Sequence, residues 1–111
     1  MGNVERYQQI VQALLEEYST SKPSHGDIEV EVSFDVVRHH YQIWHLGWMG
    51  KRRVHHSPVH CAIRNGKVWL LANSTERDVA ADFVERGIPK EDIVLGFHPR
   101  YMREYSDYAV G

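Results

Sequence analysis

The sequence predicts an α+β domain: an antiparallel sheet, built as a four-strand meander plus a short fifth strand, with two to three helices packed on one face. Three observations predict it. Near the N-terminus, apolar residues recur at three- and four-residue spacing, the mark of a helix with one buried stripe. From Ile28 the period changes to two, the mark of a strand with one wet face. Asn65-Gly66 then lies between two apolar runs, the strongest short hairpin signal. Four strands in succession favour a meander over crossover units. The 111 residues suit one domain, 1–111, long enough to bury a core without metal or disulfide help.

The first helix takes its stripe from Val4, Tyr7, Val11, Leu14, Leu15 and Tyr18. Asn3 is its candidate N-cap, Ser19 to Pro23 stops it, and Ser24 to Asp27 turns the chain. Ile28, Val30, Val32 and Phe34 alternate with Glu29, Glu31, Ser33 and Asp35 in the first strand. After Arg38-His39-His40, a second strand from Tyr41 to Trp48 turns Tyr41 and Ile43 one way and Trp44, Leu46 and Trp48 the other. A third runs from Arg52 to Arg64, with Pro58 marking a bulge, break or edge position. The Asn65-Gly66 turn sets Arg64 opposite Lys67, Cys61 opposite Leu70 and His60 opposite Leu71. Ser74 or Thr75 caps the next helix with capping-box spacing to Asp78, Val79, Ala80, Phe83 and Val84 form its stripe, and Gly87 ends it. Ile93 to Phe97 reads as a short buried strand. Pro99 starts a last helix with Tyr101, Met102, Tyr105, Tyr108 and Ala109 on its apolar side.

Charge is unevenly spread. Thirteen Lys and Arg stand against fifteen Asp and Glu, yet residues 36–67 hold six bases, Arg38, Lys51, Arg52, Arg53, Arg64 and Lys67, and no acid. Six of the eight histidines share that block, which therefore gains positive charge in mild acid. The block reads either as a surface for phosphate or an acidic partner, or as cationic protection of turns and an edge strand. Trp44, Trp48, Trp69 and Leu71 likewise read as core or as an interface, most simply with a second copy. No apolar run approaches the roughly 20 residues of a membrane span. MGNVERYQQI lacks the pattern of a signal peptide, and Arg6 stands where a myristoylation signal needs Ser or Thr. A cytoplasmic location is the expectation.

Catalytic and metal signatures are weak. A single cysteine, Cys61, rules out an internal disulfide and CxxC motifs. On a strand His56 and His60 stand about 13 Å apart, beyond chelation. Mid-strand, Cys61 reads as a small inert hydrophobe. No GxSxG, P-loop, GxGxxG or HExxH occurs. No catalytic residue, metal site or cofactor is expected. His98, with Arg100 beside it, reads either as an anion contact or as a ring satisfying local backbone groups.

Certain residues resemble the XisI-like family: Tyr41 to Trp48, Val59-His60, Asn65-Gly66-Lys67-Val68-Trp69, Ser74-Thr75-Glu76, Gly87-Ile88-Pro89, and Ile93 through Pro99. The opening helix ending in Tyr18 and Gly26-Asp27-Ile28-Glu29 extend the likeness to about Tyr7–Ala109. The resemblance implies a cyanobacterial factor controlling excision of a DNA element from the fdxN region during heterocyst differentiation. It also implies action beside a site-specific recombinase and a companion factor, XisH. Where the family pattern leads one to expect an acid after Val-His, this chain has Cys61-Ala62; Asn73 stands where an Asp is expected, and Asp78 near an expected glycine. The reading is therefore a non-enzymatic accessory factor working through contact with an XisH-like companion, and a homodimer. The alternative is direct DNA contact through the six bases of the block, with His98 and Arg100 as further contacts.

Overall fold

The structure, a computed structural model, describes residues 2–21, 23 and 26–111. The chain runs α1 (Gly2–Tyr18), β1 (Asp27–Asp35), β2 (His40–Met49), β3 (Arg52–Arg64), β4 (Lys67–Asn73), α2 (Val79–Glu85), a 3₁₀ turn (Lys90–Asp92), β5 (Ile93–Leu95) and α3 (Arg100–Arg103). The strands form one sheet in the order β1-β2-β3-β4-β5. The first four are antiparallel neighbours, whereas β5 runs parallel to β4. This follows from α2: a helix between two adjacent strands carries the chain back to the starting edge, so the second strand enters in the same direction.

The helix stripes and the even-period strands close a core on one side of the sheet. Tyr7, Val11, Leu14 and Leu15 of α1 meet Tyr41 and Ile43 of β2, Cys61 and Ile63 of β3, Val68 and Leu70 of β4, and Phe83 of α2. Two phenols cross this core to carboxylates: Tyr7 donates to Asp92 and Tyr18 to Asp82. Each hydrogen bond ties α1 to the C-terminal half of the chain. Tyr18 also lies under the guanidinium of Arg77, 4.5 Å from the ring centre.

Several boundaries depart from expectation for local reasons. α1 begins at Gly2, which puts Asn3 inside its first turn rather than at its cap. The Ser24-His25 part of the expected turn lies outside the described residues. Pro58 does mark a bulge: Ser57 and Pro58 face the single residue Trp44. A second bulge at Leu71 shifts the β3–β4 register, so His60 pairs with Ala72 rather than Leu71. The Asn65-Gly66 turn has φ of 52° and 75°, as its hairpin requires.

α2 starts later than the capping-box spacing predicts. Asn73 Oδ1 accepts from the Thr75 amide and hydroxyl, and the Thr75 hydroxyl accepts from the Arg77 amide. Those residues are thereby held in a turn, and Asp78 becomes the cap through the Ala81 amide at 3.1 Å. Asp78→Ala is expected to cost about 1 kcal/mol of stability in urea denaturation, whereas Thr75→Ala should cost less. The two costs in reverse order would contradict this assignment.

The last helix is the largest difference. It ends at Arg103 because Ser106 Oγ donates to the Arg103 carbonyl at 3.0 Å and accepts from the Tyr108 amide at 3.1 Å, a local competitor of helical hydrogen bonding. The Ala109 amide then bonds the Ile93 carbonyl at 2.8 Å. Ala109 thus bridges Val94, and Tyr101 and Tyr105 are left exposed.

Candidate functional site

The helices α1 and α2 bury one side of the sheet; the other is bare over β1, β2 and the first half of β3. Alternation along β2 sends Tyr41 and Ile43 to the core and Gln42, Trp44, Leu46 and Trp48 to the bare side. Trp48 is 48% exposed; Trp44 and Leu46 are half-buried. The Trp44 indole donates to Gln42 Oε1 at 2.8 Å, satisfying its polar edge. Register then places charge on both flanks. Asp27 lies beside Trp48, Glu29 beside Leu46 and Glu31 beside Trp44 on β1; Arg53 lies beside Trp48 and His55 beside Leu46 on β3. The Arg53 guanidinium sits 5.3 Å from the Trp48 ring, and the His55 and Trp44 rings are 5.3 Å apart. The result is a three-residue apolar row between an acidic row and a cationic one.

The four residues expected to form one interface separate into two pairs. Trp44 and Trp48 are on the bare end. Trp69 and Leu71 lie beneath the chain's own C-terminal segment, where Arg64 and Arg103 flank the Trp69 ring at 5.7 and 5.3 Å. A side chain added at Gly96 would meet Leu71 at 3.0 Å and Trp69 at 3.2 Å.

The basic block separates too. Lys51, Arg52 and Arg53 occupy the β2–β3 turn and the start of β3, while Arg64 and Lys67 flank the β3–β4 turn with Arg38 in the β1–β2 turn. Ten residues of β3, Val54 to Ile63, divide the clusters, about 37 Å at strand rise. At the second cluster Arg38 pairs with Asp35 at 3.8 Å, and Lys67 donates to the Gly111 carbonyl at 2.6 Å. His98 packs against Phe97 with ring centres 4.5 Å apart, and Arg100 opens the four-residue α3.

The histidines meet one another across β2 and β3. His40 Nδ1 and His60 Nε2 are 3.0 Å apart, and His45 and His56 form an edge-on pair at 5.2 Å. Burial, reinforced by the neighbouring imidazole, holds His45 and His60 below the usual histidine range. These two rings therefore resist the mild-acid charging expected of the block. Among the described residues, no group of three or more His, Cys, Asp or Glu converges as a metal site would require. Cys61 is fully buried, which pushes its thiol up to about 12.

Two features of the surface were missed from the sequence. One is the flanking of the tryptophan row by Asp27 and Glu29 on one side and His55 on the other, which alternation hinted at but only register reveals. The other is the exposed C-terminal group of Phe97, Tyr101, Met102 and Tyr105, at 43, 68, 42 and 90%, of which Phe97 reads in the sequence as the end of a buried strand and the other three as the apolar side of a helix.

The fold and its bare face define an α+β scaffold: one sheet, α1 and α2 on one side, and on the other a charged, aromatic β surface with the C-terminal segment over its β4 end. Residues 1–110 match the family model described as XisI protein, and the chain belongs to the XisI family. It is similar to a solved XisI-like protein from Anabaena variabilis ATCC 29413, at 42% identity and TM-score 0.90 over 96% of this chain and 97% of that one. It is also similar to the fdxN element excision controlling factor XisI from the same organism, at 29% identity and TM-score 0.84 over 98% and 99%. No curated protein matches it.

Proposed function

We propose that this chain is an accessory factor controlling excision of a DNA element, and that it acts through contact with a companion of the XisH kind rather than by catalysis. Membership of the XisI family and likeness to an excision controlling factor support the process. The observation that carries the contact role is the C-terminal aromatic group. Four of the eight exposed large apolar side chains among the described residues fall between Phe97 and Tyr105. Exposed tyrosines grouped with Met and Phe supply large contact area at small entropic cost, and such residues dominate binding energy at interfaces. Two groups suited to chemistry are otherwise engaged: four imidazoles pair with each other, His40 with His60 and His45 with His56, and the thiol is sealed in the core.

Co-purification of the full chain with an XisH-like companion, followed by titration calorimetry, tests this. Binding at micromolar concentration is expected. The double variant Tyr101→Ala, Tyr105→Ala should weaken it by about tenfold or more while leaving the melting temperature within a few degrees, since both side chains lie outside the core. No association at micromolar concentration would overturn the reading.

A further inference from the structure

The bare sheet face is a different surface from the C-terminal group, and its charge pattern identifies what covers it. We propose that this face binds a second copy of the same chain, with the two-fold axis running along β2. Its three parallel rows make the argument. The apolar row of Trp44, Leu46 and Trp48 lies in the middle, Asp27 and Glu29 on the β1 side, Arg53 and His55 on the β3 side. Two identical faces can meet about an axis in their shared plane in two simple ways. An axis across the strands lays the acidic row of one copy on the acidic row of the other, and cation on cation. An axis along β2 leaves each level of the strand where it is and exchanges the flanks.

The second arrangement is complementary at the two levels where both flanks are charged; Glu31, beside Trp44, meets the uncharged Ser57–Pro58 bulge. Trp48 meets Trp48 and Leu46 meets Leu46 of the second copy along the centre. Asp27 of each copy faces Arg53 of the other, and Glu29 faces His55. An isologous interface needs this self-matching, and like charges face to face would cost several kcal/mol in the first arrangement. The charges are also free to pair. Among the described residues the ion pairs are Arg38–Asp35, Arg86–Glu17 and Lys90–Asp107, so none of the described residues pairs ionically with Asp27, Glu29 or Arg53. Face-to-face packing of two sheets with strands nearly aligned is the ordinary geometry of a β-sandwich.

Light scattering and sedimentation equilibrium of the full chain alone test the proposal, so its outcome is separate from companion binding. The expected mass is twice 12.9 kDa. Arg53→Asp should raise the dimer dissociation constant by at least about tenfold, because it sets carboxylates against each other at both ends of the interface. Asp27→Lys should do the same. The double charge swap Asp27→Lys, Arg53→Asp should restore the dimer, and so should mixing the two single variants. Circular dichroism on each variant separates loss of the dimer from loss of fold; should either single variant unfold, the milder pair Asp27→Asn and Arg53→Gln takes its place, each expected to weaken the dimer. A wild-type chain that stays monomeric at 100 μM overturns the proposal. So does a dimer indifferent to charge reversal, or one that the swap fails to rescue.

Discussion

Gly47→Ala is expected to destabilise the protein by more than about 4 kcal/mol, most of the stability of a domain at the low end of the usual range. Gly47 has φ of +150°, a conformation that side chains rarely adopt. A methyl group there would lie 2.0 Å from the Asp27 carbonyl oxygen and 3.0 Å from the Ile28 Cα. Both obstacles are backbone, so no rotamer change relieves them; β1 would have to move away from β2. The contrast is Gly50 in the β2–β3 turn. Its φ is +64° but nothing lies within 4 Å of an added Cβ, so Gly50→Ala should cost about 1 kcal/mol of conformational strain alone. Urea denaturation followed by circular dichroism compares the two. A Gly47→Ala midpoint close to that of Gly50→Ala would show that β1 is not pinned there. The consequence reaches the surface: the close approach at Gly47 is what brings Asp27 beside Trp48.

Local pattern in the sequence announces the elements, because the forces that select them act over a few residues. The stripe from Tyr7 to Tyr18, the alternation from Ile28 to Phe34, and Asn65-Gly66 each fix an element by short-range physics. What fails is decided by competition or by distance. Asn73 and Thr75 satisfy each other before the capping box can form, and Ser106 stops α3 with two hydrogen bonds that no periodicity signals. The Leu71 bulge shifts pairing inside a hairpin whose turn is right. For the surface, the charged residues 36–67 are contiguous in sequence, but a 13-residue strand carries them to opposite ends of the sheet. The acids that complete the tryptophan row come from β1, some 20 residues earlier, and only strand register joins them.

Raising the pH from 10 to 11 is expected to remove roughly 3 kcal/mol of stability, through three buried acids that must stay protonated in the fold. Burial first, and then the hydrogen bond to Asp92 and its charge, push the Tyr7 phenol up to about 12. Burial and Asp82 raise Tyr18 further still, and burial alone raises Cys61 to about 12. Each group holds its proton more tightly folded than unfolded. Its contribution is therefore complete below the unfolded value, near 10 for a phenol and 8.5 for a thiol, and declines as pH climbs toward the folded value. Well inside its window each group removes about 1.4 kcal/mol per pH unit, a phenol about half that at pH 10 where its unfolded form is half ionised, and the three windows overlap between pH 10 and 11. Tyr7→Phe and Tyr18→Phe each abolish one ionisation. Either variant should be less stable than wild type at pH 8, because a half-buried carboxylate loses its donor. Each should also lose stability more slowly above pH 10, by about a third of the wild-type slope. Urea midpoints at half-unit steps from pH 8 to 11.5 give these slopes directly. A wild-type profile flat across pH 10–11 would show that both phenols ionise in place, and that the bonds from α1 to Asp82 and Asp92 do not hold the helix on the sheet.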